Sequence, residues 1–401
     1  MVTVWSELTG QAEAIALFRA AASYQPGAAS PSGEGNISSG TDADASGPAN
    51  SMTHSWLITG PAGSGRSNLA FAFATALLSG NPDGDEATAA QVAARSHPDL
   101  QVLTTEGVII KIADVRETVR RSHYSPSVGR YRVIIVEDAD RMAEHASNVL
   151  LKELEEPPER TVWILCAPSE ADLLPTIRSR VRSVRLRVPS VADVAELLVK
   201  RNGVSTELAE RAAREAQSHI GMAQRLATSA EARERREETL ITALTVRSVS
   251  SAVMAAARLL ALAGDDADAI TELRDAQERE NTLRSLGIAP GQAIPPALRG
   301  QIKALEDDQK RRARRSLRDG IDRILVDLSS LYRDVIMVQL GRTDAVINRE
   351  IFTRIEAAAT RSTPAETLAT LDAITIARRR IEANVAPLLA LEAMLITFRR
   401  P

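Results

Sequence analysis

The chain has 401 residues, of which 44% are hydrophobic, so it is long enough for two or three domains with ordinary cores. Its net charge of −3 excludes a nucleic-acid polycation, and an aromatic content of 3% disfavours a protein that binds single strands by base stacking. The single cysteine, Cys166, excludes an internal disulfide and a cysteine-based zinc site.

The first predicted element is an amphipathic helix within residues 5–22. Residues 27–50 contain only one large apolar side chain, Ile37, so we expect a disordered insertion there. The N-terminus shows neither the basic nor the apolar region of a signal peptide, and no apolar run approaches the ~20 residues of a spanning helix. We therefore expect a soluble, cytoplasmic protein without membrane contact.

Short apolar runs then alternate with helical patterns as far as residue 189. The predicted strands lie in "SWLITG", "LQVLTT", "YRVIIVEDAD", "TVWILCAP" and "RSVRLRVPS". Strands that alternate with helices predict an α/β domain whose parallel sheet is covered by helices on both faces.

No strand pattern follows residue 191. Residues 191–227 are typical of two or three short helices, and residues 235–400 are typical of a helical bundle interrupted by "GIAPGQAIPPALRG". One stripe of the bundle should be buried, because its apolar residues recur at helical spacing. Its members are Ile321, Ile324, Leu325, Leu328, Leu331, Tyr332 and Val335.

The stretch "GPAGSGRSN" at residues 60–68 is close to the phosphate loop G-x-x-x-x-G-K-[ST]. Gly60, Gly63 and Gly65 would let backbone N–H groups surround an anion at the start of a helix. Ser67 stands where a hydroxyl would contact magnesium, but Arg66 replaces the lysine that reaches the β- and γ-phosphates. Because a guanidinium is planar and forked, we predict a phosphate-loop fold that no longer turns over ATP.

Two further motifs bear on this chemistry. In "VIIVEDAD" the acids Glu137 and Asp138 stand in reverse of the usual Asp-Glu order, which shifts both the metal position and the base position by one methylene. In "TIRSRV", Arg180 could reach the triphosphate of a neighbouring subunit. On spacing alone, a surface arginine in a basic stretch is the better interpretation of Arg180.

Several segments together resemble the delta-prime family of bacterial DNA polymerase III clamp-loader subunits. They include "SWLITGPAGSGRSNLAFAFA", "HPDL", "RVIIVEDADRMAEHASNVLLKELEEPPERTVWILCAPS" and "LLPTIRSRV", within residues 5–226. The resemblance implies a P-loop AAA+ domain at 1–189, a small helical lid at 190–230, and an all-α collar at 231–401 through which five subunits form a ring.

The resemblance also implies roles for single residues. Gly10 and Gln11 would line the adenine side. Arg66 and Ser67 would belong to a degenerate nucleotide site, Arg180 would be an arginine finger acting in trans, and Arg225 would be the lid arginine. Glu137 and Asp138 take the acidic motif. Pro168 stands near the position of a polar γ-phosphate sensor. The segment that holds four zinc-binding cysteines in many relatives has none here, so we expect no zinc.

The function implied is that of a stator, which helps load the sliding clamp onto primed DNA together with the tau/gamma and delta subunits. It requires no cofactor, and the sequence leaves open whether ATP and magnesium bind without turnover. The alternative is a self-sufficient motor subunit of the tau/gamma type. The basic run at residues 310–318 is interpreted as a solvated helix face balanced by Glu306, Asp307 and Asp308, with a phosphate-binding patch as the second possibility.

Overall fold

The structure is a computed structural model that describes residues 3–6, 8–24, 52–61, 63–105, 109–285 and 299–398. The insertion predicted at residues 27–50 lies outside this part of the chain, as does most of the Pro/Gly-rich stretch. The described residues fall into two compact units. The sheet unit takes those within Met1–Thr105, Ile109–Arg201 and Ser218–Ile220, and the helical unit takes those within Asn202–Gln217 and Gly221–Pro401.

A five-stranded parallel sheet forms the centre of the sheet unit. Its strands are β1 (Ser55–Thr59), β2 (Leu100–Leu103), β3 (Arg132–Val136), β4 (Thr161–Ala167) and β5 (Arg182–Arg185). The order across the sheet is β2-β3-β4-β1-β5, and Ile58 of β1 lies between Cys166 of β4 and Val184 of β5. The five predicted strands and their parallel arrangement are therefore confirmed.

Helices precede, connect and follow these strands. They are α1 (Ala12–Ala22), α2 (Arg66–Ser79), α3 (Glu86–Ala93), α4 (Ile112–Ser122), α5 (Glu144–Glu155), α6 (Pro175–Arg178) and α7 (Val191–Asn202). The sequence patterns indicated all of them except α3, whose only buried residue is Val92. The start of α3 is fixed by the Asp85 side chain, which accepts a hydrogen bond from the Thr88 N–H at 2.8 Å.

Each face of the sheet has its own apolar core, because successive side chains of a strand point to opposite faces. On one face Trp56 packs with Phe18 of α1 and Phe73 of α2, with ring centroids 4.4 to 5.5 Å apart. On the other face, Trp163 and Leu150 of α5 belong to a second cluster. The sheet is therefore covered on both sides, as predicted.

Beyond residue 191 the described chain is helical. The remaining helices are α8 (Thr206–Glu215), α9 (Ile220–Thr228), α10 (Ala230–Leu244), α11 (Val249–Ser285), α12 (Arg299–Gln339), α13 (Phe352–Thr360), α14 (Pro364–Glu382) and α15 (Pro387–Phe398). Every residue of the predicted stripe on α12 is buried in the core of the helical unit. The all-α character of this region is confirmed, while the three-domain division with a lid at 190–230 stays a prediction.

The basic run at residues 310–318 lies within α12. Arg312 pairs with Asp275 at 3.1 Å and also with Glu278, both on α11. Arg318 donates to the Glu382 carbonyl at 3.1 Å. Of the acids predicted to balance the run, Asp307 lies 3.9 Å from Lys310, whereas the nearly buried Arg312 is balanced by acids of α11. The interpretation as a solvated helix face stays a prediction.

Candidate nucleotide site

The phosphate loop joins the end of β1 to the start of α2. Gly63 and Gly65 have φ values of 77° and 88°, which residues other than glycine rarely adopt. Gly65 is also the N-cap residue of α2. The Gly60 N–H donates to the Pro168 carbonyl at 3.2 Å, so this proline lies beside the loop. The hydroxyl of Ser64 is buried and has no hydrogen-bond partner. The loop therefore has the conformation of an anion cradle with one unpaired polar group.

Arg66, in the position of the usual lysine, does not extend freely from the loop. Its Nη1 donates to the carbonyl of Gly60. The loop thus uses the side chain that would reach a triphosphate to bind its own backbone. Cys166 lies below on β4 with its Sγ 4.0 Å from the Arg66 carbonyl, and burial raises the pKa of its thiol to about 12. Cys166 is therefore an inert core residue.

The acidic motif follows β3, which is the neighbour of β4 in the sheet. The Glu137 carboxylate is paired with Arg95, whose Nη2 lies 2.8 Å from Oε2. Asp138 has a positive φ of 53°, and its Oδ2 lies 3.8 Å from Nε of Arg141. Sequence reasoning did not find Arg95, because it follows α3 and stands 42 residues before its partner.

His219 also reaches the loop, although the sequence motifs did not point to it. The N–H of Ile220 donates to the Gly63 carbonyl at 3.3 Å, and a β-carbon added to Gly63 would overlap the ring of His219. The chain before it is strained, since Gln217 and Ser218 both have positive φ. His219 therefore requires a glycine at position 63.

Arg180 lies between α6 and β5 at a half-buried position. Its Nε is 2.9 Å from Oε2 of Glu155, at the end of α5, and its Nη1 donates to the Thr176 carbonyl at 2.9 Å. The side chain is 31% exposed and that of Glu155 is 59% exposed. Because exposed ion pairs contribute little, at most about 1 kcal/mol, a neighbouring phosphate could draw Arg180 away from Glu155.

Arg225 and Gln11 have partners within their own units. Arg225 binds Asp266 of α11, with Nη1 2.7 Å from Oδ2. Asp266 also accepts from Arg323 at 2.7 Å. Gln11 exchanges two hydrogen bonds with the backbone of Arg187, of 2.8 and 3.2 Å. The roles of Arg225 and Gln11 toward a nucleotide stay predictions.

The parallel sheet, the glycine loop between β1 and α2, and the acids after β3 together define a P-loop domain of the AAA+ kind. None of the described helices has both the length and the hydropathy needed to cross a membrane.

Comparisons with known proteins agree with this class. Residues 44–190 match the family described as DNA polymerase III, delta subunit. The chain is 36% identical over 154 residues to DNA polymerase III subunit delta' of Pseudomonas aeruginosa, which is 37% of this chain and 47% of that protein. It is 30% identical over 155 residues to DNA polymerase III subunit gamma/tau of Mycobacterium tuberculosis, 37% of this chain and 27% of that protein. Residues 44–190 are therefore similar to the corresponding part of DNA polymerase III clamp-loader subunits.

The match spans less than half the length of these two relatives. Among solved structures, a gamma subunit-related protein of DNA polymerase III from Thermotoga maritima is 19% identical, with a TM-score of 0.42. That alignment covers 87% of this chain and 95% of the other. The assignment of the fold rests on the sheet order and helices described above.

Proposed function

We propose that this chain is a delta-prime-type stator of the DNA polymerase III clamp loader. In this role it forms a cytoplasmic hetero-oligomer with tau/gamma and delta subunits and helps them load the sliding clamp onto primed DNA. It turns over little or no ATP itself and offers Arg180 to the ATP site of a neighbouring subunit. It needs no zinc, and its own loop holds at most a nucleotide that is not hydrolysed.

One observation carries the proposal: both halves of the candidate nucleotide site are engaged by arginines of the same chain. Arg66 binds the Gly60 carbonyl and Arg95 binds the Glu137 carboxylate. Phosphoryl transfer depends on groups that are free to contact the phosphates and to hold the metal ion. A site whose cationic side chain binds its own backbone, and whose acidic side chain is held by a second arginine, is poorly suited to hydrolysis.

A motor subunit of the tau/gamma type is the second candidate, because the gamma/tau relative matches nearly the same length of chain as the delta' relative. ATP turnover by the isolated chain separates the two. We expect turnover no greater than that of a Ser67→Ala variant, which lacks the hydroxyl that would contact magnesium. Turnover that Ser67→Ala abolishes would favour the motor and overturn the stator.

The role of Arg180 is tested in the reconstituted ring. We expect Arg180→Ala to leave assembly intact and to lower clamp-dependent ATP hydrolysis at one interface, because charge developing on the γ-phosphate needs an external donor. Such fingers are worth roughly three to five orders of magnitude in other NTPases. Because the ring hydrolyses ATP at several sites, the decrease in its total ATP hydrolysis should be smaller than the decrease at that one interface. Arg180→Lys should restore little, since a point charge cannot bridge two oxygens.

Two control variants separate a finger from a structural ion pair. Glu155→Gln removes the partner of Arg180 but keeps its guanidinium, so hydrolysis should stay at the wild-type level or rise. Arg178→Ala removes a nearby exposed charge and should have no effect. If Glu155→Gln reproduces the loss seen with Arg180→Ala, Arg180 acts through its intramolecular contact and the proposed role is wrong.

A further inference from the structure

P-loop domains hold a magnesium ion between the acidic motif, the loop hydroxyl and the phosphates. Here the acidic position is Glu137, and its side chain is only 14% exposed. A carboxylate this far shielded from water is stabilised by a cation beside it, because charges are costly to bury without a partner. Which cation this is decides whether the domain can take up a metal.

The structure supplies a guanidinium. Arg95 follows α3, and its Nη2 lies 2.8 Å from Oε2 of Glu137. Its guanidinium also stands over the ring of Phe71, on α2, at 5.6 Å from the centroid. The contacts of Arg95 thus join α3, α2 and the end of β3, so its head group is positioned from three elements.

The backbone of Arg95 indicates that this placement is specific. Its φ is 54°, in the left-handed region that ends many helices and usually contains glycine or asparagine. An arginine there is strained by its β-carbon. Strain of this kind persists where the surrounding contacts hold the residue in place.

The residues present do not fit a magnesium ion. Magnesium takes oxygen ligands in a strict octahedral geometry, and one oxygen of Glu137 is already bound by Arg95. A divalent cation at the same carboxylate would be repelled by the guanidinium. Within the described part of the chain, no three acidic, histidine or cysteine side chains are grouped so that they could hold a metal.

We propose that the guanidinium of Arg95 takes the place of the divalent cation at the acidic motif, so that the domain binds phosphate groups, if any, without a metal. This deepens the proposed function and uses from it only the assignment of the phosphate loop. The class of ligand excluded is the metal–nucleotide complex. The class that fits is a free phosphate or triphosphate anion.

The test measures binding of Mn²⁺, a paramagnetic substitute for magnesium, to the purified full chain by electron paramagnetic resonance without nucleotide. Wild type, Arg95→Lys and Glu137→Gln should all bind Mn²⁺ weakly. Wild type and Arg95→Lys keep a cation beside the carboxylate, and Glu137→Gln lacks the carboxylate. Arg95→Gln should gain about thirtyfold in affinity, the effect expected when one positive charge about 4 Å from a divalent cation is removed. The double variant Arg95→Gln/Glu137→Gln should lose that gain.

Arg160→Gln is the matched control. Arg160 also has a positive φ, of 63°, but its side chain donates to the carbonyls of Arg130 and Gly129 and to no carboxylate. The Arg160→Gln variant should therefore bind Mn²⁺ as weakly as wild type does. Stronger binding by wild type than by Glu137→Gln would overturn the proposal even if Arg95→Gln failed to fold. A folded Arg95→Gln that gains nothing would overturn it as well. Neither result depends on ATP turnover, so the stator function and this inference can fail separately.

Discussion

Arginines of the sheet unit differ from one another in the groups they bind, although the sequence shows them as the same residue type. Arg66 binds a carbonyl of its own loop, Arg95 binds a half-buried carboxylate, and Arg180 binds an exposed one. A guanidinium offers five donors in a rigid fork, so its partner decides what it can do next. Of the three, only Arg180 has a carboxylate partner that is largely exposed, so exchanging that ion pair for a phosphate costs little.

Asp99 is a residue whose charge holds a loop together. Its side chain is fully buried and accepts hydrogen bonds of 2.6 to 2.7 Å from the N–H groups of Ser127, Val128 and Gly129. Burial alone would raise the pKa of Asp99, but these N–H donors and the Ser127 hydroxyl outweigh it and lower the pKa to about 2. The carboxylate is therefore the stabilised form in the folded protein.

The lowered pKa predicts how stability changes with acid. The contribution of Asp99 should be complete above about pH 5 and should be lost as the pH falls toward 2, because the unfolded chain takes up the proton first. It amounts to about 2 kcal/mol of unfolding free energy. Asp99→Asn should lose about this much at neutral pH and remove that part of the acid sensitivity, as measured by urea denaturation across the pH range.

The control for Asp99 is Asp114→Asn, which removes an exposed acid at the start of α4. Its stability at neutral pH should stay within about 0.5 kcal/mol of wild type. If Asp99→Asn proves no less stable than Asp114→Asn, the loop at residues 127–129 is not held by the charge of Asp99.

Buried polar groups connect the elements of the helical unit. Asn348, in the loop before α13, accepts from Arg236 of α10 at 2.6 Å and donates to Asp334 of α12 at 2.8 Å. Arg236 also binds Asp327 of α12 at 2.9 Å. Burial raises the pKa of Asp327, and the guanidinium of Arg236 opposes that rise. Because each partner satisfies another, the network specifies how the loop sits on these two helices.

The same network reaches α8. Glu215 accepts from Arg211 at 2.9 Å and lies 3.5 Å from Arg236, while Arg214 binds Glu350 at 2.9 Å. Burial raises the pKa of Glu215, with the guanidinium of Arg236 opposing it. These contacts explain why α8, which the family resemblance places in a lid, is grouped here with the bundle helices.

At the scale of the whole molecule, the chain has separate cores in its two units. Leu328 is fully buried in the helical unit and Leu150 is fully buried in the sheet unit. The three tryptophans, Trp5, Trp56 and Trp163, all lie in the sheet unit. Tryptophan fluorescence therefore reports on the sheet unit, while far-ultraviolet circular dichroism also follows the helices of the other.

These cores predict that two leucine-to-alanine variants have different signatures. Each variant should lower the free energy of unfolding of its unit by about 2–5 kcal/mol, because apolar burial is lost and a cavity is left behind. Leu328→Ala should lower the melting transition seen by circular dichroism and leave the fluorescence transition in place. Leu150→Ala should lower the fluorescence transition. If both signals move together in both variants, the two units unfold as one, and the assignment of independent cores is wrong.

Local patterns were enough to predict the architecture. The apolar runs of β1, β3 and β4 and the stripe on α12 follow from side-chain periodicity, which depends only on neighbouring residues. The glycines of the phosphate loop and the prolines after α5, Pro157 and Pro158, could also be interpreted from the sequence alone, because their backbone preferences are intrinsic. The helix α3 was missed because it buries little more than Val92 and so has no apolar stripe.

The partners of the charged residues could not be predicted in this way. Arg95 meets Glu137 across 42 residues, and Arg180 meets Glu155 across 25. Which guanidinium reaches which carboxylate depends on where α3, α5 and α6 come to rest against the sheet, and that is settled by packing along the whole chain. Residue type and spacing therefore identified a phosphate loop with Arg66 in the position of the lysine. Only the tertiary structure showed that a second arginine, Arg95, binds Glu137 of the acidic motif.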